Sequence, residues 1–255
     1  DMIWSWPYDQ GGCACPSCAP WGANGFLRAS ESLSRIYRER FPRGKFWLST
    51  WLFDSVKAQG EYAGLFERIR ATSPEWFDGL VVGTHGDWVP APLLERPSPE
   101  RYPLACFPEI SMYQSDPWGG AGANPLPQFN ARLAGRLKGK IQGGWPYSEG
   151  LYEDLNKFFW IATFCDPDRP ADEILLEYAR YYLGPDAADE GVRLFDLMEE
   201  THERSQWKVK NLERADEGWV LAESISARLP AWAASSWRWR LLYVRASIDH
   251  ILKNQ

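Results

Sequence analysis

The sequence predicts an α/β fold, made of the last five or so βα units of a (β/α)8 (TIM) barrel followed by an all-helical C-terminal region. Three observations predict it. Short apolar segments alternate with helix-like segments as far as residue 170, which is typical of parallel βαβ units. These apolar segments end in polar or aromatic clusters, and beyond Ala171 only helix-like segments follow. We therefore divide the chain into the C-terminal part of a barrel, residues 1–170, and a helical region, residues 171–255.

The predicted barrel part contains strand-like segments with helix-like segments between them. The strands are predicted at Met2–Trp6, Lys45–Phe53, Leu80–Thr84, Leu104–Phe107 and Lys140–Gln142. The helices are predicted at Phe26–Arg40, Tyr62–Ala71, Gln128–Leu137 and Leu151–Phe164. Helical spacing predicts one shared face on the first of these helices, formed by Leu27, Leu33, Ile36 and Tyr37.

The region after residue 170 is predicted to be helical throughout. Its helices are predicted at Glu173–Leu183, Gly191–Arg204, Gly218–Leu229 and Ala234–Leu252. Pro185 and Pro230 lie between helices, where a residue that cannot continue a helix is expected.

The number of predicted strands is too small for a closed barrel, because an eight-stranded barrel needs three more. The chain begins at Asp1 rather than Met, and we interpret it as a fragment. The missing N-terminal barrel half is then an expected partner. Without it, the strand at Met2–Trp6 is expected to be an exposed apolar edge.

The composition excludes some partners and favours others. The 34 acidic and 28 basic residues give a net charge of -6 without any basic cluster, so nucleic acid is not expected as a partner. No apolar run is long enough to cross a membrane, and no membrane partner is expected. Of the 15 tryptophans, ten precede residue 171. A surplus of these amphipathic rings in the barrel part favours a ligand surface as well as a core.

An acidic residue follows each predicted strand, and at some strand ends an aromatic or histidine side chain lies beside it. The residues are Tyr8 and Asp9, Asp54, His85 and Asp87, Glu109, and Tyr147 and Glu149. Since the loops after the strand ends build the active site of a barrel enzyme, these clusters together predict one site. A doubly wound nucleotide-binding sheet is disfavoured, because no glycine-rich phosphate-binding motif follows any strand.

The stretch Gly143–Asp154 is the most informative of these strand ends. It brings Trp145, Tyr147 and Glu149 together before a helix. Aromatic rings cover the apolar C–H face of a pyranose, and a carboxylate binds hydroxyls or transfers a proton, so this pattern predicts a sugar site. The alternative is a simple turn in which Glu149 faces the first turn of the next helix, where the helix dipole favours an anion.

Distinctive sequence patches occur at Trp6–Cys18, Tyr147–Gly150, Asp166–Pro170 and Glu177–Pro185. Together they resemble bacterial glycoside-hydrolase-like proteins of the α-glucuronidase and β-N-acetylhexosaminidase type. The resemblance implies a catalytic (β/α)8 barrel followed by helices. It also implies a catalytic acid at the end of the fourth barrel strand, which is Asp9 if the strands here are the last five. The hexosaminidases carry an adjacent Asp-Glu pair, whereas Asp9 is followed by Gln10.

Hydrolysis of a glycosidic bond needs two carboxyls, one to protonate the leaving oxygen and one to attack the anomeric carbon or activate water. The candidate catalytic residues are Asp9, Glu109 and Glu149. The candidate substrate-binding residues are Trp6, Tyr8, Trp51, Asp54, His85, Asp87, Trp118, Trp145 and Tyr147. The expected substrate is an oligosaccharide or glycoside, and no cofactor or metal is expected. For each acid the alternative is a hydrogen-bonded loop carboxylate.

A second function class is a non-catalytic carbohydrate-binding protein on the same barrel scaffold. Such a protein keeps the aromatic residues and loses the carboxylate pair, whereas acids follow every predicted strand here. The tryptophans that could form a sugar-binding surface are Trp6, Trp51, Trp88, Trp118 and Trp145. We expect at least two of these five to belong to the core instead.

The cysteine pattern Cys13-x-Cys15-x-x-Cys18 leaves two interpretations open. Its spacing is short enough for a metal site, yet a structural zinc site takes four ligands and no fourth Cys or His lies nearby in the sequence. We therefore expect loop thiols, or one disulfide in an exported protein, rather than zinc. Cys106 or His85 are the candidates to approach this loop in space. Cys165, in an apolar helix-like run, is expected to be a buried thiol.

Overall fold

The computed structural model describes residues 1–9, 12–55, 59–84, 89–90, 102–111, 125–148, 154–203, 208–209 and 211–255. The chain forms two compact units. The first consists of Asp1–Pro108 and Gly139–Trp145, and the second of Glu109–Lys138 and Pro146–Gln255. The division at residue 170 stays a prediction.

A curled five-stranded parallel sheet confirms the mixed α/β class and is compatible with part of a (β/α)8 barrel. Its strands are β1 (Met2–Ser5), β2 (Lys45–Ser49), β3 (Gly79–Thr84), β4 (Leu104–Ser111) and β5 (Tyr147–Ser148). They are hydrogen-bonded in the order of the chain, β1-β2-β3-β4-β5. A doubly wound sheet reverses its strand order at a switch point, whereas sequential order is what a barrel requires.

The helices of the barrel part begin and end close to their predicted positions. They are α1 (Gly25–Arg40), α2 (Glu61–Thr72), α3 (Pro127–Leu137) and α4 (Asp154–Cys165). A 3-10 turn at Trp21–Ala23 precedes α1. Within the described part of the chain, no helix is both long and apolar enough to span a bilayer.

The predicted shared face of α1 was wrong in two positions. Leu27 is buried, but Leu33 and Ile36 are 53% and 61% exposed. The buried stripe includes Ser30 and Ser34 instead. The Ser30 hydroxyl lies 2.8 Å from that of Ser5, and the Ser34 hydroxyl donates to the carbonyl of Trp76 at 2.5 Å. Small hydroxyl side chains let the helix approach neighbouring backbone closely, so its packing face is more polar than periodicity suggested.

The edge of the sheet at β1 exposes apolar side chains, as expected. β1 hydrogen-bonds to β2 alone among the described strands. Met2 is 50% and Ile3 is 43% exposed.

The fifth strand lies later in the chain than predicted, so Lys140–Gln142 was wrong. Gly139 has a left-handed φ of 73°, typical of a turn after a helix. The chain then runs beside β4: Gln142 N–H donates to Leu104 O, and Trp145 N–H to Cys106 O, both at 2.8 Å. Tyr147 and Ser148 form β5. Trp145 and Tyr147 therefore lie alongside β4 rather than beyond the end of a strand.

The position of Glu109 also differs from the prediction that it follows a strand. β4 extends through Pro108 to Ser111, and Glu109 lies inside it. Pro108 pairs with Thr84, the last residue of the β3 ladder. β4 continues beyond Pro108 and pairs with β5 through Glu109 and Ser111.

The region after residue 170 is not wholly helical, which corrects the prediction. Its helices are α5 (Ala171–Leu183), α6 (Ala188–Glu200), α7 (Ala215–Ser226), α8 (Ala231–Ala234) and α9 (Trp237–Lys253). An antiparallel pair, β6 (His202–Glu203) and β7 (Lys208–Val209), lies between α6 and α7. The predicted helix through Arg204 stops at Glu200, and the buried Thr201 hydroxyl that follows lies 3.0 Å from the carbonyl of Met198 and 2.8 Å from the carboxylate of Asp249.

Candidate functional site

Six aromatic side chains of the first unit pack together, and we call them the tryptophan cluster. Its members are Trp4, Trp6, Trp47, Trp51, Phe107 and Trp145. The closest ring centroids, those of Trp4 and Trp145, are 4.7 Å apart, and the centroids of Trp6 and Trp51 are 5.3 Å apart. These separations lie in the range of favourable aromatic pairs. Trp6 and Trp51 follow β1 and β2, so the cluster reaches the carboxyl ends of these strands.

Two glycines of β3 make room for the cluster. A Cβ atom at Gly79 would lie 2.5 Å from Cζ3 of Trp47, and one at Gly83 would lie 2.8 Å from Cζ3 of Trp51. Gly79 and Gly83 are four residues apart in one strand, so they lie on the same face of the sheet. The large rings of β2 and the segment after it therefore pack against bare backbone on β3.

The exposure of the cluster separates core rings from accessible ones. Trp51 is only 7% exposed, and therefore belongs to the core. Trp4, Trp6, Trp47 and Trp145 are half-buried. The indole N–H groups of Trp6 and Trp47 are enclosed, and neither has an acceptor among the described residues. An enclosed donor without an acceptor costs free energy, and a ligand reaches these two N–H groups only if the surrounding side chains move.

Glu61, which the sequence reading missed, joins three loops beside the carboxyl ends of β1 and β2. Its side chain is fully buried. Oε1 accepts the hydroxyl of Tyr8 and, at 2.7 Å, the N–H of Gly22, while Oε2 accepts the N–H of Asp54 at 2.9 Å. Burial, and then the hydrogen bond to Glu61, raises the pKa of Tyr8, so its phenol stays protonated and donates to this carboxylate.

Asp54 caps α2. Its Oδ1 accepts the N–H of Glu61 at 2.7 Å and its Oδ2 the N–H of Tyr62 at 3.3 Å. The residue that precedes the helix is Gly60, which has no side chain to offer, so Asp54 supplies the cap from six residues upstream. Asp54 itself has a left-handed φ of 58°. A sugar-binding role for Asp54 stays a prediction beside this capping role.

The catalytic candidates differ in how far they are exposed to solvent. Asp9 is exposed, directly after the buried Tyr8. In the second unit, Glu109 is 3% exposed and is paired in register with the half-buried Tyr147. The other candidates lie outside the described residues: His85, Asp87, Trp118 and Glu149. The structure thus describes Trp6, Trp51 and Trp145 in one cluster, with Tyr8 and Asp54 joined through Glu61.

Sequence signals for the missed residues were present. Trp4 precedes Trp6 by two residues, the spacing that puts two side chains on one face of a strand. Glu61 is an acid directly after a glycine at a helix start. Its bond to Tyr8 joins residues 53 positions apart, which no local pattern predicts.

The cysteine loop brings three thiols together. The sulfur atoms of Cys13, Cys15 and Cys18 all lie within 4.8 Å of one another, and all three are free thiols. Hydrogen bonds from the Ser17 hydroxyl and then from the other two thiols lower the pKa of Cys15 to about 6.

The two remaining cysteines lie apart from this loop. Cys106 is fully buried in β4, and burial raises the pKa of its thiol. Cys165, at the end of α4, is exposed, so the expectation that it is buried was wrong. It lies on the last turn of the helix, past the buried Phe159 and Trp160.

Comparisons with known proteins do not assign the chain to a family. No family model matches it, and no curated protein is significantly similar to it.

Proposed function

We propose that this chain is the C-terminal part of a carbohydrate-active glycoside hydrolase. One observation carries the proposal: half-buried tryptophans pack together in a curled parallel sheet, and one of them, Trp6, directly follows the carboxyl end of β1. The carboxyl ends of the strands are where barrel enzymes bind their substrates. The faces of the half-buried rings suit the apolar C–H face of a sugar.

The proposed chemistry is acid/base hydrolysis of a glycosidic bond. One carboxyl protonates the leaving oxygen, and a second, ionised carboxylate attacks the anomeric carbon or activates water. The candidates are Asp9, Glu109 and Glu149. Glu61 is not among them, because its two oxygens already accept three hydrogen bonds within the fold. Asp54 is likewise occupied by the N–H groups at the start of α2.

The experiment is a hydrolysis screen on aryl glycosides of hexoses, N-acetylhexosamines and uronic acids, read by release of the aryl group. The proposal predicts turnover of at least one class, and loss of that turnover in Asp9→Asn, Glu109→Gln or Glu149→Gln. A suitable control is Glu67→Gln, an exposed acid on α2. Turnover that survives in all three variants would contradict the proposal.

The second candidate function is carbohydrate binding without hydrolysis. The observation that favours it is the use of Asp54 and Glu61, two acids beside the cluster, as backbone acceptors. Sugar binding in the absence of turnover on every class would favour this function instead.

A further inference from the structure

We propose that Cys13, Cys15 and Cys18 bind one Zn²⁺ ion as thiolates, and that this ion holds the loop after β1. The proposal is independent of the proposed glycosidase activity. It rests on the convergence of three sulfur atoms, on the way the surrounding backbone fixes them, and on the charge beside them.

The geometry of the sulfur atoms fits a single thiophilic ion. Thiolates on one tetrahedral Zn²⁺ lie about 2.3 Å from the ion and therefore about 3.8 Å from each other. The three sulfurs here lie within 4.8 Å of one another, so a small adjustment of side-chain torsions closes the site. A disulfide would use two of the sulfurs and leave the third unexplained. Among the described residues no fourth ligand joins this group, which leaves one tetrahedral position for solvent or another ligand.

The loop is fixed independently of any ion. The N–H groups of Cys18 and Ala19 both donate to the carbonyl of Cys15, at 2.9 and 3.0 Å. The side chain of Asn24 donates to Ala19 O at 2.8 Å, and Gly25 N–H donates to Cys18 O at 3.2 Å. These bonds tie the cysteine turn to the start of α1. A ligand set held in this way loses little conformational entropy on binding an ion.

The charge beside the thiols suits a zinc thiolate centre. Three thiolates and one Zn²⁺ carry a net charge of -1. A guanidinium nitrogen of Arg28 lies 3.6 Å from Cys18 Sγ and also donates to Ser17 O at 2.5 Å. Its positive charge balances the centre, and its N–H groups can donate to a metal-bound sulfur, as partners in the outer shell of metal sites do. The protons of the thiols are released to solvent as the Zn–S bonds form.

A role in the hydrophobic core does not explain the cysteines of this loop. Cys13 and Cys15 are exposed, so they do not serve the core as small apolar side chains. The loop also lies between Tyr8, which bonds Glu61, and Trp21, whose indole donates to Pro7 O at 2.7 Å. An ion in this loop would therefore stiffen the segment that carries Asp9.

The first test is Zn²⁺ titration of the reduced, metal-stripped chain in competition with a chromophoric chelator. We expect one Zn²⁺ per chain, and a loss of affinity greater than ~100-fold in Cys15→Ser or Cys18→Ser, since even outer-shell partners contribute 10–100-fold. Arg28→Ala is expected to lose ~10–100-fold. Cys165→Ser, which removes an exposed thiol elsewhere, is the matched control and should bind as the parent chain does. Unchanged binding in the loop variants would overturn the proposal.

A second test needs no variant and so does not depend on whether variants fold. Alkylation of the native chain, mapped by mass spectrometry, should be slowed by Zn²⁺ at Cys13, Cys15 and Cys18 and unchanged at Cys165. Equal rates with and without Zn²⁺ would contradict the site. So would a disulfide within the loop that persists in native protein together with no zinc uptake after its reduction.

Discussion

Asp54 and Glu61 each donate a backbone N–H to the carboxylate of the other. The Asp54 N–H reaches Oε2 of Glu61 at 2.9 Å, and the Glu61 N–H reaches Oδ1 of Asp54 at 2.7 Å. The exchange resembles a capping box in which the cap comes from a residue further upstream. It connects the segment after β2 to α2, and through Tyr8 it also connects the segment after β1.

The first prediction follows from the acceptors on Glu61. Glu61→Gln replaces one carboxylate oxygen by an NH2 group that faces an N–H or O–H donor. Leaving buried donors unsatisfied costs about 1–3 kcal/mol, so the free energy of unfolding should fall by that amount. Urea denaturation measures it. Glu67→Gln on the exposed side of the same helix should change it by less than ~0.5 kcal/mol. Equal behaviour of the two variants would show that Glu61 is not the structural centre described above.

The second prediction concerns two glycines that should respond in opposite directions. Gly83→Ala places a methyl group into the Trp51 ring and should destabilise the chain by about 1–3 kcal/mol. Gly135→Ala, in α3, meets no heavy atom within 4 Å and should stabilise it by about 0.4–1 kcal/mol. Thermal or urea unfolding of both variants checks the signs. A neutral Gly83→Ala would mean that the Trp51 ring has room to move.

Much of the fold was predictable because its signals are local. The apolar runs located β1 to β4, and helical periodicity located α1 within one residue at its start. β5 was missed because its two residues, Tyr147 and Ser148, are too few to show an apolar alternation.

The candidate site was predictable only in part, for a different reason. Trp6 and Trp51 follow β1 and β2, so their positions in the chain predict them, whereas Trp145 lies alongside β4 and not at the predicted strand end. The role of Asp54 as a cap, and the existence of the Glu61 centre, depend on contacts between loops distant in sequence. Hydrophobic periodicity contains no information about such polar contacts.

The third prediction is an acid sensitivity of the second unit. Lys253 and then His250 lower the pKa of Asp216 to about 2 from its ordinary value of 3.8. A carboxyl with a lowered folded pKa stabilises the fold above its unfolded pKa, and the contribution disappears as pH falls through the folded pKa. The urea midpoint should therefore fall between about pH 4 and pH 2.

The control for this pH dependence is Asp216→Asn, which should make the fall in that window less steep, leaving the part due to Glu217, whose pKa Arg214 and Arg193 lower to about 2. Because the side chains of Asp216 and Lys253 are both partly exposed, added salt should also weaken the effect. A midpoint in Asp216→Asn that falls as steeply as in the parent chain would assign the acid sensitivity to other groups.

The fourth prediction separates catalysis from stability. In a preparation that hydrolyses a glycoside, Asp9→Asn should lower kcat by at least ~10²-fold, the scale for loss of an acid–base group. Since Asp9 is exposed, the thermal unfolding temperature of the Asp9→Asn variant should equal that of the parent chain. Asp54→Ala provides the contrast, because it removes both acceptors of the α2 cap and should lower stability by about 0.5–2 kcal/mol. If Asp9→Asn changes KM alone, Asp9 binds substrate without transferring a proton.

If the tryptophan cluster binds a sugar, as proposed, the indole N–H resonances of the chain will respond to it. A ¹H–¹⁵N NMR titration with oligosaccharides follows each indole separately, with Trp6→Phe assigning the Trp6 signal by its absence. We expect saturable shifts of the Trp6 and Trp47 resonances, while the resonance of Trp232, which is 56% exposed on α8, should stay unchanged. Shifts confined to exposed tryptophans such as Trp232, or no shift for any neutral or acidic sugar, would contradict the proposal.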